Sequence, residues 1–314
     1  MIDIVVTYLN ERDSKWQEDY KFWKNKEISE GKQKASNRQA FGIERTREWD
    51  AFKYWFRGAE KNCQWLNKVF LIVQNERHIP EWLDVNNPKL RVVYHEEFIP
   101  KELLPTFNAV TIGMYVSNIA DLSDNYIMCD DDYYFLNSIG RERFFRDSKP
   151  VHKNNVVPFV PYGDNLLNAS DGVFYHILNN NLKFELPYMG DHPVKYGLYH
   201  LPEARKKSFE QEVLRDFRGT ILEANLVSRF RHPKNLCPYM FSDLLKICNK
   251  AIIDDPYYDC AYCTLKSTVN FDDYWDKSIV CFNDTEQLDD YDKTKEKLIE
   301  FLDKKLPNKS SFER

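Results

Sequence analysis

Three consecutive carboxylates, Asp130-Asp131-Asp132, stand directly after a short apolar run from Asn125 to Cys129. Side by side they repel one another, and at the end of a buried strand they call for a cation. Hard oxygen ligands of this kind suit Mg2+ or Mn2+, which in turn bridge the oxygens of a diphosphate. A solvated acidic turn is the plainer explanation of such a triplet. The strand-end position, and the aromatic Tyr133-Tyr134-Phe135 that follows, bring the metal reading level with that one. Asn283-Asp284-Thr285 repeats the layout, although Asp284 or Thr285 could equally cap a helix. Two such sites in one α/β sheet can converge on one ion, with Asp131, Asp132, Asn283 and Asp284 as its ligands.

Other groups could handle protons and phosphate oxygens. His200, before Leu201-Pro202, has the side-chain type to act as a base toward a hydroxyl, although a lone histidine is more often structural. Arg229-Phe230-Arg231-His232 places two guanidinium forks close together, and such forks match phosphate oxygens. A basic surface patch would read the same way. Arg47, Lys53 and Arg57 pose that choice again, between solvated helix charge and anion binding. Thr106 or Asn108 can cap a helix expected over Ala109 to Ala120, whose first amides could face a phosphate. No G-x-S-x-G or H-E-x-x-H motif occurs, and no P-loop or dinucleotide fingerprint.

These residues need a scaffold, and the composition supplies one. The chain has 314 residues, 43% hydrophobic and 15% aromatic, enough for one large core. A net charge of −5 argues against broad nucleic-acid binding, which needs a basic face. The seven cysteines are odd in number and irregular in spacing, and Cys260-x-x-Cys263 offers only two ligands where a structural zinc wants four. Free thiols suit a reducing cytosol. Met1 to Thr7 reads as a buried strand and not as a signal peptide, and no segment has the apolar length to span a bilayer. A cytoplasmic protein is expected, one that would reach any lipid-linked substrate from the membrane surface.

Apolar runs at Ile2–Leu9, Val69–Val73, Leu90–Tyr94 and Asn125–Cys129 predict strands. Helices are expected over Lys15–Ser29, Glu44–Lys61, Ala109–Ala120, Arg205–Phe217, Tyr239–Lys250 and Asp290–Lys304, with a short one beginning at Pro80. Gly31–Arg38 reads as a polar loop. Val156–Val160 and Gly172–Leu178 read as further sheet, and Ser278–Phe282 as a late strand. The alternation predicts a single α/β domain over residues 1–314, with a mostly parallel central sheet flanked by helices and a largely helical insertion near 200–255. Active sites of such sheets lie at the carboxyl ends of strands, where the aspartate triplet falls.

The order of these segments resembles the Stealth family of polysaccharide phosphotransferases, whose eukaryotic relative is the GlcNAc-1-phosphotransferase that tags lysosomal enzymes. Ile2-Asp3-Ile4-Val5-Val6-Thr7-Tyr8-Leu9-Asn10 looks like the family's first block, and Arg47 to Lys61 like the helix of its second. Pro80-Glu81-Trp82-Leu83, Leu104 to Asn108, Leu122-Ser123 and Cys129 to Phe135 follow in family order. His200-Leu201-Pro202 with Phe230-Arg231-His232, then Cys281-Phe282-Asn283-Asp284, and the tail Leu306 to Glu313 complete the likeness. The resemblance implies transfer of a hexose-1-phosphate (GlcNAc-, GalNAc- or Gal-1-phosphate) from a UDP-sugar to a glycan hydroxyl, with release of UMP. It implies His200, Asp131, Asp132 and Arg231 as catalytic residues and Asp284 beside them. Asp3, Arg47, Lys53, Arg57, Thr106 and Asn108 are the expected donor-binding residues. The acceptor it implies is a lipid-linked oligosaccharide or polysaccharide, met at the inner face of a bacterial membrane, in capsular or cell-wall synthesis. Two other readings stay open: a metal-dependent glycosyltransferase that releases UDP, and a non-catalytic carbohydrate-binding assembly subunit.

Overall fold

The computed structural model describes residues 1–157, 172–191, 194–197 and 199–314. Four parallel strands form the centre: β1 (Ile2–Thr7), β2 (Val69–Val73), β3 (Leu90–Tyr94) and β4 (Asn125–Cys129). In space they run β4-β1-β2-β3, and the strand Glu203–Lys206 adds an antiparallel edge beside β4. The order winds one way from β1 to β3 and then returns to the other side of β1. That reversal leaves a crevice between the carboxyl ends of β1 and β4, the usual place for a ligand in an open α/β sheet.

Both faces of the sheet are covered, which explains the unbroken apolar runs. Side chains alternate across a strand. Ile4 and Val6 therefore pack with Trp55, Phe56 and Leu71 on one face, while Val5 packs with Phe70, Ile72, Met240 and Phe241 on the other. Residues 200–255 supply three helices, Lys207–Asp216, Arg218–Leu226 and Tyr239–Ile247. They also supply the Glu203–Lys206 strand, and Phe209, Val213 and Met240 lie in that second core. The stretch is thus built into the main fold as strand and helices together.

A second, three-stranded sheet abuts the first. Tyr133–Phe135 pairs antiparallel with Ile279–Asn283, which pairs parallel with Ala261–Thr264. The aspartate triplet is the corner at which the chain leaves β4 and enters this smaller sheet. The helix Phe52–Asn62 clamps the corner from behind. A Cβ on Gly58 would lie 2.5 Å from the Phe135 carbonyl, and Asn62 donates to that same oxygen at 2.7 Å. Only glycine permits so close an approach.

Several expectations need correction. The early helix begins at Phe52 and not at Glu44; residues 46–51 are non-helical and Asp50 has φ 53°. Pro80–Leu83 forms a turn and bridge, not a helix. Ala109–Met114 is α-helical for six residues, then a 3-10 turn takes over at Val116–Asn118. Gly172–Leu178 is not sheet: Val173–Glu185 is a helix, because a short apolar run does not by itself distinguish a strand from a buried helix. Val156–Val157 pairs only with Lys195–Tyr196, outside the main sheet, and residues 158–160 lie outside the described residues. Gly31–Arg38 is less loop-like than its polarity suggests. Gln33 and Asn37 are buried, and both donate to the carbonyl of Arg231 at 3.1 Å.

Candidate active site

A deep cleft opens at the carboxyl ends of the parallel strands. Tyr8 and Glu11 follow β1, Gln74 follows β2, His95 follows β3, and Asp130, Asp131 and Asp132 follow β4; all of them line it. Arg45, Arg47 and Glu48 form one wall, with Asn283 and Asp284 beside them, while His200 and Arg231 arrive from the second half of the chain.

The acidic corner is organised around Tyr133 and His200. The Tyr133 hydroxyl lies 3.0 Å from an Asp130 oxygen and 3.0 Å from His200 Nδ1. On the other side of the imidazole, Nε2 is 3.7 Å from Asp132 Oδ2. Burial alone would lower the His200 pKa, but Asp132 and then Asp130 outweigh it and raise it. Cys281 stands next to Tyr133 in the paired strands and donates its thiol to Asp132 Oδ2 at 3.3 Å. Asp132, His200 and Cys281 each offer a ligand atom within 4.8 Å of the others, a set able to hold a divalent ion.

Asp131 is the outermost of the three, open to the cleft. Its carboxyl is nevertheless pushed well above the usual range, by its setting among protein atoms at the cleft floor and then by Asp132, Asp130 and Glu48. Asp132 Oδ1 is buried without a hydrogen-bond partner among the described residues. Repelling carboxylates and an unsatisfied carboxylate oxygen are features that a cation would relieve.

Positive charge faces them. Arg231 stacks on the Phe174 ring at 5.2 Å, and its Nε is buried without a partner among the described residues. Burial, then repulsion from Arg45, lowers its pKa to about 9, which still leaves it cationic at neutral pH. An anion arriving between Arg45 and Arg231 would relieve both strains. Asp284 is already engaged: it accepts from Arg47 at 2.5 Å and from the Trp49 indole at 3.1 Å. The Asn283 amide donates to the Asp284 carbonyl at 2.9 Å. The expected second half of the metal set is therefore tied to protein partners, and Arg47 is held through Asp284.

Four expected donor-binding residues lie elsewhere. Asp3 sits at the opposite end of β1, accepting from Asn67 and from the Ser123 amide at 2.7 Å each. Lys53 rests over the Tyr54 ring at 4.9 Å. Arg57 is buried in a two-point pair with Glu313, both contacts 2.8 Å, and donates to the Leu306 carbonyl. Asn108 spends its side chain capping its own short helix at Val110 and bonding Asn235. Of that group Thr106 and Arg47 reach the cleft.

The cleft also contains groups that sequence reasoning missed. Tyr8 donates to Glu48 at 3.3 Å. Glu11, facing Glu48, is raised to about 7 by burial and then by that second carboxylate. No local motif announces this pair, since Glu11 lies in the turn after β1 and Glu48 lies in the non-helical stretch read as helix. Cys281, read as an ordinary thiol, was signalled only by its place in the Cys281-to-Asp284 block.

Comparison with known proteins follows the same lines. Residues 45–153 match the model of Stealth protein CR2, conserved region 2. A capsular polysaccharide phosphotransferase, WcwK of Streptococcus pneumoniae, is 30% identical across 100% of this chain and 98% of its own length. The receptor polysaccharide phosphotransferase WefC of Streptococcus oralis is 28% identical across 99% of each chain. A capsular polysaccharide phosphotransferase of Streptococcus thermophilus, eps5J, is 36% identical over 49% of this chain and 65% of its own.

Proposed function

We propose a specific reaction for this chain, which belongs to the Stealth family of polysaccharide phosphotransferases: it moves a hexose-1-phosphate from a UDP-sugar to a hydroxyl of a glycan acceptor. The acceptor oxygen attacks the phosphorus that carries the sugar. The bond from that phosphorus to the bridging oxygen breaks, UMP leaves, and a phosphodiester joins the two sugars. The anomeric carbon is untouched, so its configuration is kept.

Phosphoryl transfer is mainly positioning and charge stabilisation. The observation that carries the reading is one cleft in which Asp132 Oδ1 and Arg231 Nε, of opposite charge type, both lack partners among the described residues. A diphosphate with its cation completes both. Asp131 and Asp132 would hold Mg2+ or Mn2+, which when bound neutralises phosphate oxygens and loosens the proton on the nearby imidazole. Arg231 and Arg45 face the phosphate oxygens, and Arg47 keeps Asp284 and the wall around it in place. His200 takes the acceptor proton, oriented by Tyr133 and by Asp132. The acceptor itself is a lipid-linked oligosaccharide or polysaccharide. No helix among the described residues is long and apolar enough to cross a membrane, and any membrane contact would be peripheral.

The test is nucleotide release. Purified protein receives a panel of UDP-sugars and an oligosaccharide acceptor, with Mg2+ or with EDTA. UMP and a phosphate-bridged sugar, formed only with acceptor and metal, are the expected products. Release of UDP would instead make the protein a glycosyltransferase.

A further inference from the structure

The cleft has a second end that the transfer chemistry leaves unused. β2 and β3 run in register, with Val73 opposite Tyr94. The residues that follow them, Gln74 and His95, therefore leave the sheet side by side, and both line the cleft. The side-chain oxygen of Gln74 and Nδ1 of His95 are buried and have no hydrogen-bond partner among the described residues. His95 as a whole is 8% exposed. Leaving a buried polar atom unpaired costs roughly 1–3 kcal/mol. Two such atoms on adjacent strand ends mark a place where a ligand completes the bonding. Leu9, Ile72, Phe107 and Ile112 line the same cleft, and so does His78, which neighbours His95. Burial, then neighbouring His78, presses the His95 pKa down to about 3. Its ring is neutral at working pH, and a neutral donor beside a neutral acceptor suits an uncharged planar ring better than a phosphate.

We propose that Gln74 and His95 hold the uracil of the donor nucleotide. Gln74 Oε1 accepts from the ring N3–H, and His95, in the tautomer protonated at Nδ1, donates to a flanking ring carbonyl. This inference rests on the UDP-sugar reading above and says how the other end of the cleft recognises that donor. The spacing agrees. β4, which leads into the aspartates, is two strands from β2, on the order of 10 Å at the usual strand separation. A base seated past β2 and β3 directs its phosphates over β1 toward the acidic corner. The pairing also discriminates: cytosine presents a lone pair at N3 and would set it against the buried Gln74 oxygen.

Calorimetric titration of the full chain with UMP and with CMP, in Mg2+, tests the proposal. Wild type is expected to bind UMP more tightly by about tenfold or more, the worth of one hydrogen bond. Gln74→Leu should lose that preference and raise the KM for the UDP-sugar. The Gln74 side chain is half-buried and its oxygen has no hydrogen-bond partner among the described residues, so this variant is expected to stay folded; its melting curve checks that, and Gln74→Met, which removes the acceptor oxygen with little change in size, serves as a second substitution. If both variants keep the wild-type preference, or wild type itself binds UMP and CMP alike while turning over UDP-sugars, the base site is overturned and the donor reading stands. If wild type prefers CMP and releases no UMP from any UDP-sugar, the donor reading fails and the base assignment with it.

Discussion

Arg57 lies in the helix Phe52–Asn62 and Arg47 in the non-helical stretch before it, and each meets a carboxylate from near the other end of the sequence. Around Arg57 the bonding is closed. Glu313 takes two of its N–H groups, the Leu306 carbonyl takes a third, and Glu313 also accepts from Ser310. Arg57 and Glu313 side chains keep 8% and 4% of their exposure. Around Arg47 the pattern is open. Its Asp284 partner borders a cleft where Asp132 Oδ1 and Arg231 Nε have nothing to bond among the described residues. A closed ion pair is part of the fold, whereas the unpartnered atoms of Asp132 and Arg231 are the ones the proposed substrate would complete. Charge alone does not separate the two; completeness of hydrogen bonding does.

The largest effect should come from breaking the closed cluster. Glu313→Gln strands the buried Arg57 charge and is expected to cost about 3–5 kcal/mol of stability, measured by denaturant unfolding, with turnover per folded molecule retained. The same pair sets an acid limit. Burial tends to raise the Glu313 carboxyl, but the Arg57 and Ser310 hydrogen bonds prevail and hold it below its ordinary value of 4.5. Its contribution is therefore complete above that ordinary value and disappears as pH falls below it toward the folded value. Glu313→Gln should flatten this part of the stability–pH curve, and an unchanged curve would remove the assignment.

In the open cluster the losses should appear in rate. Asp131→Ala is expected to lower turnover by about a hundredfold or more, while the metal-free protein melts no lower than wild type, since a repelling carboxylate has gone. Near wild-type turnover would end its proposed role. Gly58→Ala lies between the two clusters, where the helix meets Phe135, and should cost about 1–3 kcal/mol through overpacking. The smallest effect is expected from Cys281→Ser, which keeps a donor beside Asp132. Mg2+-supported turnover close to wild type fits a cation held by Asp131 and Asp132. Abolished turnover, with zinc found in the wild-type protein, would move the ion to the Asp132–His200–Cys281 set.

The strand framework was legible because β1 to β4 are buried on both faces and so read as plain apolar runs. The aspartate triplet was legible from its place at the end of one of them. Arg57 misled because its partner Glu313 lies far away in sequence, and a basic residue carries no mark of the carboxylate it will meet. The non-helical stretch before Phe52 was hidden for a related reason. Arg47 and Trp49 leave helical geometry to reach Asp284, a tertiary gain that outweighs local preference. Gln74 and His95 gave no signal, since what distinguishes them is the bond each fails to make in the folded chain.

The turn that carries the three aspartates belongs to neither sheet, because Cys129 closes one and Tyr133 begins the other. Mechanically it is a rivet through two plates. Any slip of the small plate against the large one changes the gap between Asp131, Asp132 and the groups that face them. Softening the small plate's packing at Phe271, which rests on Phe282 and Phe301, would then be felt as slower chemistry before it was felt as unfolding. Single-turnover rates of a Phe271→Leu variant, set against its melting curve, would expose that gearing, and equal losses in both would deny it.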